Sequence, residues 1–357
     1  MKLIHCADIH LDSSMETHMT TQQASIRNTE IIHSFIRLTE YAVKNGVRAV
    51  IIAGDLFDGE RVKSRTVDEI LDAMRRTSEV DYLYLAGNHD EASHAFSDHD
   101  IPQNFKQFGH EWNTYIYENV AISGIEIGEQ NVGSLYEDVP CMDGCVNIVS
   151  LHGQVGTTCG VAQVNLNLLK NKGINYLALG HIHSYSTQSL DGRGMSCYSG
   201  CLEGRGFDEC GEKGFILLTI EDNRVRHEFI PFCCRQLHRV PVDITGLTKN
   251  SEIAQKMKSA AQHIGSEDMV EFVLIGDSDP TANIAVSYLQ NLLNSSFFFC
   301  KVTNKSRLAI NPEDYQNDIS LKGEFIRLVL GSNASEEDKA AMIRAGMQAL
   351  TGEEIGL

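Results

Sequence analysis

Five short segments of the sequence place metal-competent side chains directly after runs of apolar residues. They are "DIH" at 8–10, "GDLFD" at 54–58, "GNHD" at 87–90, "LHG" at 151–153 and "GHIH" at 180–183. A single Asp after a strand usually forms a turn or cap, and a single His is usually an ordinary polar residue of a loop. That explanation does not account for five strand ends that all carry such residues. We therefore interpret the five segments as one site.

The candidate ligands carry carboxylate, imidazole and amide groups, and no cysteine is among them. They are Asp8, His10, Asp55, Asn88, His152, His181 and His183. This donor set suits Mn²⁺, Fe²⁺ or Zn²⁺ rather than a soft ion held by thiolates. Seven ligands are too many for one ion, whereas two ions that share a carboxylate accommodate them. Two-metal sites activate a water and bind phosphate oxygens during in-line displacement, so the sequence predicts a phosphoester hydrolase.

The elements that must position these residues alternate between strands and helices. Apolar runs such as "VRAVIIAG", "DYLYLAG", "CVNIVSLHG" and "YLALGHIHS" predict strands, and "SIRNTEIIHSFIRLTEYAVKNG", "TVDEILDAMRRT" and "NLNLLKNKG" predict helices. Ligands of open α/β sheets collect outside the carboxyl ends of the strands. The five polar segments follow such ends, so we expect an α/β fold in which they converge.

A different pattern begins after Pro231. Residues 236–325 predict a compact βαβαβ unit, and residues 326–357 form a tail with one short helix at "SEEDKAAMIRAGMQAL", whose acidic start favours a helix N-terminus. The predicted organisation is therefore a domain at 1–235, a small α/β domain at 236–325 and the tail.

Composition excludes several classes of protein. The apolar runs are too short to span a membrane, and charged residues interrupt the N-terminal apolar segment, so we expect a cytoplasmic protein without a membrane partner. Ten cysteines without an export signal are expected to be free thiols. The net charge, 30 − 48 = −18, argues against loose electrostatic binding of nucleic acid but leaves room for local basic patches.

The ordered motifs resemble those of the calcineurin-like metallophosphoesterases: DxH, GDxxD, GNH(D/E), a later single His and GHxH. The segments "IHCADIHLDS", "YLAGNHD" and "YSGCLEGRGFDECGEKGF" are similar to the SbcD-type DNA repair exonucleases within that superfamily. The resemblance covers residues 1 to about 232. It implies a four-layer αββα sandwich followed by a small α/β capping domain.

The resemblance also implies roles for individual residues. One ion would be held by Asp8, His10 and His183, the other by Asn88, His152 and His181, with Asp55 as the bridge. His89 would bind no metal and would assist the leaving oxygen, and Asp58 would orient His89, although an Asp also suits a turn at that position. The metal expected first is Mn²⁺.

The substrate and partners are less determined by the sequence. Phosphodiester bonds in DNA are the expected substrate, with Arg61, Lys63, Arg65 and Arg205 as candidate phosphate contacts. The same motifs also fit a general phosphodiesterase that acts on nucleotides or small esters. A third interpretation, implied by the resemblance, is a subunit that serves an SbcC-like coiled-coil ATPase. The resemblance further implies a homodimer.

Overall fold

The computed structural model describes residues 1–15, 19–59, 62–90, 95–278, 282–308 and 317–351. The chain divides into two compact units, Met1–Gln236 and Leu237–Leu357. Among the helices of the described ranges, none has both the length and the apolarity that a bilayer span needs.

Two six-stranded sheets and a separate two-stranded sheet make up the first unit. The strands of this unit are β1 (Lys2–Cys6), β2 (Val47–Ala53), β3 (Asp81–Leu85), β4 (Phe105–Gln107), β5 (Asn113–Tyr117), β6 (Val120–Gly124), β7 (Val146–His152), β8 (Gln154–Gly156), β9 (Gln163–Asn165), β10 (Tyr176–Gly180), β11 (Ser186–Ser189), β12 (Met195–Tyr198), β13 (Gly214–Glu221) and β14 (Arg224–Pro231). The helices are α1 (Thr21–Lys44), α2 (Ser64–Arg76) and α3 (Leu166–Leu169).

The strand order of each sheet places parallel strands at its centre. The first sheet runs β14-β13-β1-β2-β3-β4, in which β1 to β4 are parallel and β13 and β14 are antiparallel additions. The second runs β11-β12-β10-β7-β6-β5, with β12, β10, β7 and β6 parallel and antiparallel edges. The five polar segments therefore follow β1, β2, β3, β7 and β10.

The buried side chains show how the layers pack. Along β2, Ala49 and Ile51 point into the cluster shared with the second sheet, whereas Val50 and Ile52 point into the cluster shared with α1 and α2. This alternation follows from the two-residue repeat of a strand, and it makes β2 apolar on both faces. The α/β class and the face-to-face sheets agree with the expectation from the sequence.

The layer outside the second sheet contains little helix. The segment 125–136 and α3 pack on this face, against Val149 and Leu151 of β7 and Leu177 and Leu179 of β10. The helix predicted at "NLNLLKNKG" has only four residues, because the chain turns at Asn171 (φ 60°) and Gly173 (φ 90°). By contrast, α1 begins with a capping box between Thr20 and Gln23.

The second unit contains a parallel three-stranded sheet in the order β15-β16-β18. Its elements are β15 (Leu237–Asp243), α4 (Asn250–Ala260), β16 (Met269–Ile275), β17 (Asp277–Ser278), α5 (Val286–Leu293), a 3₁₀ turn (Asn294–Ser296), β18 (Phe299–Asn304), β19 (Arg307–Leu308), α6 (Leu321–Leu330) and α7 (Glu336–Thr351). Helices α4 and α5 connect the parallel strands, which is the βαβαβ pattern read from the sequence. Helix α6 was not anticipated.

Candidate metal centre

All seven candidate ligands meet at the carboxyl ends of the parallel strands. A continuous chain of contacts of 3.7 Å or less connects His183, His10, Asp55, His152, Asn88, His181 and Asp8. The last of these contacts is made by the backbone N–H of His181, which donates to Asp8 Oδ1 at 2.9 Å. The two sheets thus contribute to one site, as expected for residues that follow parallel strands.

The backbone at the site is held in an unusual conformation. Asp8, His10, Asp55 and His181 have φ values of 52°, 50°, 52° and 99°. Residues with side chains adopt positive φ rarely, and each such residue costs of order 1–3 kcal/mol that the surrounding structure must offset. Here the loops after β1 and β2 bond to each other: the N–H groups of Ile9 and His10 both donate to the carbonyl oxygen of Asp55.

Two glycines of the motifs allow the loops to approach closely. A Cβ on Gly54, which has φ of 98°, would lie 2.0 Å from Nδ1 of His152. A Cβ on Gly87 would lie 2.1 Å from Oδ1 of Asp55. Both distances are far below van der Waals contact, so these positions require glycine if the ligands are to converge.

The first cluster consists of Asp8, His10 and His183. His10 Nδ1 lies 3.2 Å from Asp58 Oδ1, and His183 Nδ1 lies 2.5 Å from Glu209 Oε1. Carboxylates accept hydrogen bonds, so both rings carry the proton on Nδ1 and present the lone pair of Nε2. The two Nε2 atoms lie 3.2 Å apart. Two lone pairs at this separation repel each other, whereas a cation coordinated by both is attracted to each, so the donors fit a metal ion.

The second cluster follows the same principle. The carbonyl oxygen of Ala53 lies 2.9 Å from His152 Nδ1 and can only accept, so Nδ1 donates and Nε2 is the ring nitrogen that faces the other residues of the cluster. That Nε2 faces Asn88 Oδ1 at 3.0 Å, and the same Oδ1 lies 3.1 Å from His181 Nδ1. Nitrogen and amide oxygen donors converge here, and this set also fits a divalent ion.

Asp55 lies between the two clusters. Its Oδ2 is 3.7 Å from His10 Nε2 and 3.3 Å from His152 Nε2, while its Oδ1 accepts the backbone N–H of His89 at 2.9 Å. Burial raises the pKa of Asp55, but the hydrogen bond and charge of His152 outweigh burial and bring the pKa to about 2. Burial also lowers the pKa of His152, yet Asp55 raises it to about 9. The negative charge that favours a proton on His152 would equally favour a divalent cation.

His89 lies beside the first cluster without joining it. Its ring centroid is 5.0 Å from that of His10, its Nδ1 is 3.4 Å from Asp58 Oδ1, and 47% of its side chain is exposed. Asp58 therefore contacts both His10 and His89. The hydrogen bond from His10 holds the pKa of Asp58 well below its usual range, so the carboxylate is ionised.

The basic residues expected to contact phosphate are engaged with carboxylates. Arg205 lies 3.4 Å from Asp58 Oδ2 and 3.2 Å from Glu209 Oε1, with 18% of its side chain exposed. Lys63 pairs with Asp12, and Arg65 pairs with Glu69. Arg61 lies outside the described residues.

Asp90 and Glu209 take part in the site although sequence reasoning gave them no role. Asp90 is buried and accepts the N–H groups of Leu56, Phe57 and Gly87, so it joins the loops after β2 and β3. It is the last letter of "GNHD", a position that could have been recognised as a loop clamp. Glu209 follows β10 by almost thirty residues, and nothing in its local sequence marks a partner.

Comparisons with known proteins show the family of this chain. Residues 1–185 match the family model described as calcineurin-like phosphoesterase. The chain is 24% identical over 294 residues to the uncharacterized metallophosphoesterase YhaO of Bacillus subtilis, covering 77% of this chain and 72% of that protein. It is 27% identical over 207 residues to the DNA double-strand break repair protein Mre11 of Sulfolobus acidocaldarius, covering 54% of this chain and about half, 52%, of that relative. Among solved structures, a dimetal phosphatase from Danio rerio is similar at 13% identity and a TM-score of 0.42, covering 64% of this chain and 95% of that one.

Proposed function

Because this chain belongs to the calcineurin-like phosphoesterase family, whose members use divalent metals to hydrolyse phosphoesters, we propose that it is a two-metal nuclease that cleaves phosphodiester bonds in DNA. The observation that carries the proposal is the position of Asp55 between two clusters of nitrogen and oxygen donors. Shared carboxylates of this kind are typical of two-metal hydrolases.

We assign the donors to two ions. Asp8, His10 and His183 would hold one, Asn88, His152 and His181 would hold the other, and Asp55 would contact both. When bound, the ions supply positive charge for the phosphate oxygens and a water of lowered pKa. Burial lowers the pKa of His10, which favours the neutral imidazole that a metal requires. Mn²⁺ is the metal we propose, and the donor set also suits Fe²⁺ or Zn²⁺.

His89 is proposed as the proton donor to the leaving oxygen. Its Nδ1 faces Asp58, so Nε2, on the opposite side of the ring, is the atom available to a substrate. Its half-exposed side chain lies next to His10, beside the place where the ions would bind a phosphate. Asp58 would hold the ring in this orientation.

DNA is proposed as the substrate because relatives named as DNA double-strand break repair proteins match the chain. A small phosphodiester is the second candidate. The engagement of the largely buried Arg205 by Asp58 and Glu209 favours it, and so does the net charge of −18.

One assay separates the two candidates. Metal-stripped protein is supplied with Mn²⁺ and given end-labelled duplex and single-stranded DNA alongside bis(p-nitrophenyl) phosphate. Release of labelled nucleotides supports the DNA proposal, and hydrolysis of the chromogenic ester alone supports the small substrate. His89→Gln provides the control for contaminating nucleases.

The C-terminal helices suggest a protein partner. Ile326, Val329 and Ile343 pack between α6 and α7, whereas Leu321 and Leu328 on α6 are 72% and 66% exposed. Exposed apolar surface of this kind often marks an interface. We propose an SbcC-like coiled-coil ATPase as the partner, from the resemblance, and a homodimer on the same basis.

The partner proposal has a direct binding test. The double variant Leu321→Ser with Leu328→Ser should lose co-purification with such an ATPase, and Leu292→Ser, an exposed leucine of α5, should retain it. Equal retention by both variants would exclude α6 as the docking helix.

A further inference from the structure

We propose that Glu209 and Lys213 fix the orientation in which His183 binds its ion, so that the segment 201–213 is part of the metal site. This segment lies beyond residues 1–185, which the family model matches. The inference rests on the proposed assignment of His183 as a ligand and adds residues that position it.

Glu209 acts on the ring of His183. Its Oε1 lies 2.5 Å from His183 Nδ1, and the residue is 5% exposed. The hydrogen bond fixes both the tautomer and the rotation of the ring, and therefore the direction of the Nε2 lone pair. Outer carboxylates that bond a metal-binding histidine in this way also make the imidazole a better ligand.

Glu209 is itself held in place by its neighbours. Its Oε2 accepts the backbone N–H of Arg205 at 2.7 Å, and its Oε1 accepts from Arg205 Nη2 at 3.2 Å. These bonds hold both oxygens of the carboxylate in place. The carboxylate is thus a fixed acceptor rather than a mobile surface group.

Lys213 acts on the main chain of the same histidine. Its Nζ donates to the carbonyl oxygen of His183 at 2.7 Å, and the residue is only 3% exposed. Lysine is almost never buried to this extent without a specific partner. The backbone N–H of Cys201 donates to the same carbonyl at 3.4 Å. His183 is therefore held at its ring and at its backbone by one segment.

A buried ion pair anchors that segment to α1. Glu203, 1% exposed, accepts from Arg27 Nη2 at 3.1 Å and from Ser34 Oγ at 2.6 Å. It also accepts the backbone N–H of Cys234 at 2.6 Å. Because the pair is enclosed, the segment has little freedom to move away from His183.

The alternative is that Glu209 only balances the charge of Arg205. In that case, removal of Glu209 would lower the stability of the fold or weaken the binding of both ions equally. If it positions His183, removal weakens the ion that His183 holds and leaves the other one bound. A titration that resolves two sites distinguishes the two cases.

The experiment is calorimetric titration of the metal-stripped full chain with Mn²⁺, on wild type, Glu209→Gln and Glu212→Gln. Glu212 is an exposed carboxylate of the same segment and is the matched control. We expect two ions in wild type and in Glu212→Gln, and in Glu209→Gln a loss of affinity of roughly 10–100-fold at one site, with the other changed less than about threefold. The visible spectrum of the Co²⁺-loaded variant should change for one ion only.

Unchanged affinity at both sites in Glu209→Gln overturns the inference, and so does equal weakening of both. If Glu209→Gln fails to fold, the same titration is carried out on Lys213→Met, which keeps the apolar stem of the lysine. Selective weakening of one site in this variant supports the inference, and unchanged or equally weakened sites overturn it. Wild type that binds no Mn²⁺ overturns the proposed function and the inference with it. Two ions in wild type with no selective effect in the variants refute the role of Glu209 and Lys213 alone.

Discussion

Acidification should destabilise the first unit through His5, which lies on β1 between the two sheets. His5 is completely buried, and its Nδ1 lies 2.9 Å from the hydroxyl of Tyr176 on β10. These two strands lead to Asp8 and His183, so the contact helps to align both halves of the first cluster. Burial lowers the pKa of His5 from 6.5 to about 3. The folded chain therefore keeps this imidazole neutral in a range where the unfolded chain protonates it.

The sign and size of the effect follow from this difference. Between pH 6.5 and 3 the unfolded state binds a proton at His5 that the folded state does not, so the free energy of unfolding falls as pH falls through this window. From pH 7 to pH 5 the loss from His5 is about 2 kcal/mol, at 1.36 kcal/mol per pKa unit. His5→Asn keeps a polar atom near the Nδ1 position and cannot titrate, so it should lose about 2 kcal/mol less than wild type over the same interval.

Urea unfolding of the metal-stripped proteins at pH 7 and pH 5, followed by tryptophan fluorescence, measures this difference. Trp112 is the single tryptophan and belongs to the first unit, so its signal reports that unit. Titration of other groups is common to both proteins and cancels in the comparison. An equal loss of stability in wild type and His5→Asn would refute the burial argument.

Three further changes test the site. His89→Gln should lower kcat by about 10²–10⁴-fold with little change in Mn²⁺ affinity, since the proposed role of His89 is proton transfer. Steady-state kinetics and a metal titration measure the two quantities, and weakened metal binding would contradict that role. Asp55→Asn should weaken both ions together, which calorimetry would show; loss of one ion alone would mean that the carboxylate is not shared. Gly54→Ala should lower the free energy of unfolding by about 2–5 kcal/mol through strain and contact with His152. Gly59→Ala, with φ of 85° and no neighbour within 4 Å among the described residues, should cost only the strain of about 1 kcal/mol. Equal losses in denaturant titrations would remove the steric argument.

The features predicted best from the sequence are those that depend on local residue patterns. The central strands are continuous apolar runs, because they are buried on both faces, and the residues after them must meet at one edge of each sheet. For that reason Asp8, Asp55, Asn88, His152 and His181 could be placed in one cluster before the structure was known.

What the sequence could not predict depends on contacts between distant segments. Glu209 bonds His183 across 26 residues, and Arg205 turns towards Asp58, which lies on another loop, instead of towards solvent. Short antiparallel strands such as β5 and β11, whose residues other than the buried Tyr117 are half exposed or exposed, have no continuous apolar run to reveal them. Their pairing is set by the neighbouring strands rather than by their own residues.

A crystal structure of the Mn²⁺-soaked protein, with anomalous data collected at the manganese edge, tests the two-metal site directly. We expect two anomalous peaks roughly 3.5–4 Å apart, one next to His10 and His183, the other next to Asn88 and His152, and both in contact with the carboxylate of Asp55. A single peak, or two peaks that do not share Asp55, would contradict it.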